Sequence, residues 1–111
     1  MTKDSPTYTT KEIQSRVDTY ITQFKEGYFS PLSQMARLTE ELGELAREVN
    51  HFYGEKPKKV TEETKTITDE LGDVLFVLTT FSNSLNIDLS EAFESAMTKI
   101  ETRDGDRWTK K

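Results

Sequence analysis

Apolar residues in this chain return every three to four positions, the period of a helix, and no segment alternates apolar and polar residues as a strand requires. That periodicity restricts the fold to an all-α arrangement. Thr9 followed by Glu12 forms a capping box, and Ile13, Val17, Ile21 and Phe24 then mark one helix face as far as Gly27. Ser30 before Pro31 opens a second helix, because proline at the first helical position gives up an amide hydrogen that has no partner there anyway. Leu38, Leu42, Leu45, Val49 and Phe52 give it an apolar stripe, and Gly54 closes it. The segment Glu55 to Val60, with Pro57 and three lysines, reads as a loop. A third helix starts at Thr61, carries Ile67, Leu71, Val74, Leu75, Leu78 and Phe81, and ends near Asn86. Asp88 and Glu91 open a fourth, which stops by Gly105. The expected organisation is a mobile arm over residues 1–8, a helical domain over 9–105 and a charged tail over 106–111. Four helices with short connections imply a four-helix bundle-like chain.

Composition narrows the partners. Only 33% of the 111 residues are hydrophobic and 32% are charged, which fits a helix-rich chain with wide solvated faces or one that gains burial by assembling, and an oligomer is expected. A formal net charge of −5 argues against nucleic acid, whose phosphates are held by excess lysine and arginine. There are no cysteines, which removes disulfides and thiolate metal sites. With no membrane-length apolar run and no apolar leader at the N-terminus, no membrane partner is expected and the expected compartment is the cytoplasm.

The chemistry concentrates in acidic residues. Glu41 and Glu44 lie three apart on the second helix, Glu70 and Asp73 three apart on the third, and antiparallel packing of the two helices would converge the pairs. Glu70 falls within the apolar sector set by Ile67, Val74, Leu78 and Phe81, so burial is expected, and a buried carboxylate needs a positive partner. Glu40, Glu44 and Glu48 form a like-charge ladder, as do Asp69 and Asp73. A cation would relieve the repulsion, and oxygen-only ligands favour Mg²⁺ or Mn²⁺. Acidic residues on helices are more commonly just solvated surface. A di-iron site would need Glu-x-x-His on two helices, and the chain has a single histidine, His51, near a helix end. No nucleophile elbow or glycine-rich phosphate loop is present, which leaves metal-assisted hydrolysis as the chemistry these residues can perform.

Glu40-Glu41-x-x-Glu44, followed after 25 intervening residues by Glu70-x-x-Asp73, resembles the signature of the MazG-like nucleotide pyrophosphohydrolases. The similarity extends over about residues 30 to 105, and includes Arg37 to Ala46 and Asp69 to Leu78. The resemblance implies hydrolysis of a nucleoside triphosphate to the monophosphate and pyrophosphate by water attack at the α-phosphorus, with removal of non-canonical nucleotides as one purpose. It implies Mg²⁺ held by Glu41, Glu44, Glu70 and Asp73, a catalytic base within the cluster Glu40, Glu41 and Glu44, triphosphate contacts from Lys99 and Arg103, and a nucleotide contact from Asn83. It also implies a homodimer or homotetramer. Basic residues in a last helical turn are favoured by the helix dipole alone, which is the plainer account of Lys99 and Arg103. Phe24, Tyr28, Phe29, Phe52, Tyr53 and Trp108 could stack on a base, although aromatics at helical spacing more commonly form core. Relatives acting on dUTP share the acidic motif. Those acting on phosphoribosyl-ATP expect a histidine where this chain has Val74-Leu75-Phe76. Outside the enzyme class, the alternative is a non-catalytic helical scaffold protein.

Overall fold

The computed structural model describes residues 5–54 and 67–111. Four helices account for most of them: α1 (Thr10–Thr22), α2 (Pro31–Tyr53), α3 (Ile67–Ser84) and α4 (Leu89–Arg103). No strand occurs among the described residues. The expected start of the third helix at Thr61 and the loop before it lie outside them.

The N-terminal caps read from sequence form for α1, α2 and α4, whereas Gly54, expected to close α2 in a left-handed conformation, does so in an extended one at φ −87° and ψ −175°. Thr9 Oγ1 accepts from the Glu12 N–H at 3.1 Å while the Glu12 carboxylate accepts from the Thr9 N–H at 2.8 Å. Ser30 Oγ accepts from the Ser33 N–H, and Pro31 takes the first helical position. Asp88 Oδ1 accepts from the N–H groups of Ser90 and Glu91. Helix α1 ends earlier than its apolar period implied. After Thr22 the chain tightens into turns, with the Gly27 N–H donating to the Phe24 carbonyl and Gly27 at φ +62°, a left-handed conformation that costs glycine nothing. Asn86 closes α3 in the same region at φ 56°, which asparagine tolerates better than other side chains.

Helices α2 and α3 pair along their lengths, α1 packs on α3, and α4 on α1. The four do not close around one core. Val77 is the one fully buried hydrophobic side chain among the described residues, and the radius of gyration is 17.6 Å where a compact chain of this length gives about 13 Å. Leu38 and Leu45 turn toward α3 and are half-buried, but Leu42 and Val49, which share their apolar stripe, remain exposed. On α3, Leu71, Leu75, Leu78 and Leu85 also stay exposed. At about 100° per residue in two antiparallel helices, these leftover positions fall on one side of the α2–α3 hairpin.

Polar contacts hold α1 in place. Gln14 donates from Nε2 to Asn83 Oδ1 at 2.9 Å and to the Ile87 carbonyl at 2.8 Å, and its Oε1 accepts from the Leu89 N–H at 2.9 Å. Asn83 Nδ2 donates to the Gln14 carbonyl and to the Tyr28 hydroxyl, which itself donates to Asp18. A hydroxyl contact between Thr10 and Ser90 adds a further tie from α1 to α4. Gln14 thus satisfies three partners spread over α3, the turn and α4. Gln14→Ala should cost about 1–3 kcal/mol of stability through the partners it orphans, read as a lowered urea midpoint at an unchanged slope.

Candidate metal centre

Glu41 and Glu44 from α2 and Glu70 from α3 each offer a carboxylate oxygen, and the three oxygens lie within 4.8 Å of one another. The pairing of α2 with α3 produces this. Glu70 occupies the seam between them at 2% exposure, Glu41 is half-buried opposite, and Glu44 stands at the solvent edge. Oε2 of Glu41 is buried with no hydrogen-bond partner. Asp73 is half-buried one turn beyond Glu70, near enough for its charge to act on Glu41, though it is not one of the three converging groups.

Electrostatics make the cluster costly without a cation. Burial pushes the Glu41 carboxyl above its ordinary value of 4.5; the negative charges of Glu44 and Asp73 push it further, the Arg37 guanidinium opposes them, and Glu70 adds to the rise. A donor set of carboxylate oxygens, one of them orphaned and buried, fits a hard divalent ion.

Other predicted residues lie elsewhere. Glu40 is exposed on α2 beside the cluster. Asn83 follows Asp73 by ten residues, roughly 15 Å along the α3 axis, with both Nδ2 hydrogens and one Oδ1 lone pair committed to Gln14 and Tyr28. Lys99 and Arg103 are exposed on α4, whose main packing among the described residues is on α1, and Arg103 donates to Asp104. A single chain therefore does not bring them to the carboxylates. Of the aromatics, Phe24, Phe29, Phe52, Tyr53 and Trp108 are exposed, and Tyr28 serves the Asn83 network.

Glu48, a member of the like-charge ladder on α2, is only 3% exposed and approaches His51 Nδ1 at 3.5 Å. The signal was present in the spacing: Leu38, Glu41, Leu45, Glu48 and Phe52 alternate steps of three and four, so Glu41 and Glu48 occupy the same seam as the leucines.

The model of the MazG nucleotide pyrophosphohydrolase domain matches residues 29–108, a span that contains the entire cluster. The chain belongs to the MazG nucleotide pyrophosphohydrolase family. YpjD of Bacillus subtilis (strain 168), an uncharacterized protein, is 68% identical over 103 residues, 93% of each chain. A crystal structure of YPJD from Bacillus subtilis, for which a pyrophosphatase activity has been suggested, is 65% identical. It aligns with a TM-score of 0.78 over 86% of this chain and 97% of that one. The Bacillus-conserved MazG protein, a nucleotide pyrophosphohydrolase, is 59% identical, with a TM-score of 0.76 over 92% of this chain and 99% of that one. This MazG-family chain is accordingly an all-helical hydrolase of nucleotides with a carboxylate cluster between α2 and α3. No helix among the described residues is long and apolar enough to cross a membrane.

A raised folded-state pKa means that Glu41 favours folding below its ordinary value, and that this contribution is lost as pH rises through the folded value. The metal-free protein should therefore lose stability from the carboxylate range upward, and Glu41→Gln should melt higher than wild type at pH 7 in chelator. Thermal melts at pH 4 to 8 check both. Divalent metal should reverse the order: at 100 times its dissociation constant it adds about 2.7 kcal/mol to wild type, and much less to Glu41→Gln.

Proposed function

We propose that this protein is a Mg²⁺-dependent nucleoside triphosphate pyrophosphohydrolase that releases the monophosphate and pyrophosphate, with Mn²⁺ able to replace Mg²⁺. The observation that carries the reading is the convergence of Glu41, Glu44 and Glu70 from two helices within 4.8 Å, inside the family's matched span. A triphosphate and a carboxylate cluster repel each other, so a cation has to join them. Glu41, Glu44, Glu70 and Asp73 would hold it, and when bound it supplies positive charge to the phosphate oxygens and acidifies water.

The chain's own part is positioning and proton transfer. Glu40, exposed beside the ligands, accepts a proton from the attacking water. The water oxygen bonds to the α-phosphorus, the bond from that phosphorus to the bridging oxygen breaks, and pyrophosphate leaves with the electron pair. Lys99 and Arg103 bind the triphosphate, and Asn83 holds the nucleotide end through its remaining Oδ1 lone pair. Because α4 stands away from the carboxylates of its own chain, Lys99 and Arg103 serve the site of a second copy in a homodimer or homotetramer. The exposed Leu42, Val49, Leu71, Leu75 and Leu78 support such an assembly. The working compartment is the cytoplasm, where nucleoside triphosphates occur, and removal of non-canonical nucleotides is one purpose the activity serves.

Incubation with Mg²⁺ and a panel of canonical and modified triphosphates, followed by product separation, tests the reading. Monophosphate and pyrophosphate in equal amounts are expected; no turnover of any member overturns it. Glu41→Ala and Asp73→Ala should each lower kcat by roughly 10³-fold or more while leaving the helical circular-dichroism signal intact. Glu41→Ala and Arg103→Ala should both be inactive alone and regain part of the activity when mixed. If mixing restores nothing, the shared site is wrong.

A further inference from the structure

Two helical turns before Glu41, on the same face of α2, Gln34 is 4% exposed and donates from Nε2 to the Phe29 carbonyl at 2.7 Å. That bond fixes the amide orientation, since a carbonyl accepts only from nitrogen. Oε1 is the other end of the amide, and it is buried with no hydrogen-bond partner. Gln34 borders a slot of about 40 Å³ that Arg37, Ser33, Tyr28 and Thr80 also line, together with the apolar Ile21 and Phe29. An unsatisfied buried acceptor costs about 1–3 kcal/mol, so an open acceptor on a side chain that borders a slot calls for a donor brought to it.

The slot's position says what that is. Seven residues at 1.5 Å each separate Gln34 from Glu41 by roughly 10.5 Å along α2, and Thr80 follows Asp73 by the same seven residues on α3. This is about the reach from the α-phosphate of a nucleotide to the far side of its sugar and base. Arg37 lines the slot on one side, and its charge reaches Glu41 on the other, so the two sites adjoin. The volume admits a single amino or hydroxyl group and excludes a whole ring.

We infer that Gln34 Oε1 reads one hydrogen-bond donor on the bound nucleotide, an exocyclic amino group of the base or a sugar hydroxyl, and so sets substrate preference. The inference rests on the pyrophosphohydrolase reading. Its effect is specificity through an unmade bond: a nucleotide lacking the donor leaves Oε1 buried and unpaired, and the site discriminates against it.

The test compares wild type, Gln34→Met, which removes the acceptor, and Gln34→Glu, which keeps an oxygen there, all with Mg²⁺. Substrate pairs differ by one donor: ATP against purine riboside triphosphate for the amino arm, GTP against ITP for the other purine amino group, and ATP against its 2′- and 3′-deoxy forms for the hydroxyl arm. Wild type should favour the donor-bearing member of one arm by roughly tenfold or more in kcat/KM, through KM. Gln34→Met should treat that pair alike with kcat little changed, and Gln34→Glu should keep the preference. Wild type that hydrolyses every pair alike, or Gln34→Met that keeps the preference, overturns the inference alone and leaves the slot to ordered water. Wild type that hydrolyses nothing overturns the enzyme reading with it. Should the variants not fold, the Gln34 side-chain carbonyl ¹³C resonance in wild type decides. It should move when a non-hydrolysable donor-bearing triphosphate binds and stay with its donor-less partner; equal response to both overturns the inference.

Discussion

The rest of the structure depends on carboxylates held in the seam between two antiparallel helices. Glu70 is nearly inaccessible there, Glu41 faces it half-buried, and Glu44 closes the edge, so three negative charges meet where leucines would pack more cheaply. In a core of ordinary composition this seam would be the most stable part of the molecule. Here it carries repulsion, as the raised Glu41 carboxyl records, and the family to which the chain belongs explains why the repulsion persists: a nucleotide-hydrolysing site must gather anionic oxygens to retain a cation beside an anionic substrate.

The support for that seam is mostly polar. With one hydrophobic side chain fully buried among the described residues, α1 is located by directional bonds from Gln14 and Asn83 more than by enclosed apolar volume. Such bonds fix register, since a shift of one residue along α1 would break all the contacts of Gln14 at once, and they hold the α1–α2 connection that shapes the slot beside Gln34.

Much of the architecture was legible because its signals are local. A capping serine before proline, a Thr-x-x-Glu box and a period of 3.6 act within a few residues, and each helix start inside the described span matches them. The acidic pairs were legible too, since a carboxylate inside an apolar sector announces burial, and Glu70 is buried. What could not be read was tertiary. The end of α1 at Thr22 is set by a turn that the continuing apolar period conceals. The exposed Leu42 and Val49 share a stripe with the half-buried Leu38 and Leu45, and only the direction of α3 separates them. Asn83 gave no hint of Gln14, which lies 69 residues earlier.

The placement of exposed leucines along one side of a hairpin whose seam holds the acids has a consequence for how the family can diversify. Any change that rolls α2 or α3 about its long axis to suit a different neighbour also swings the carboxylates, so contact surface and cation geometry must evolve together. The α1–α2 connection is free of that coupling, whereas Gln34, Arg37 and Thr80 ride on the same two helices and move with the carboxylates.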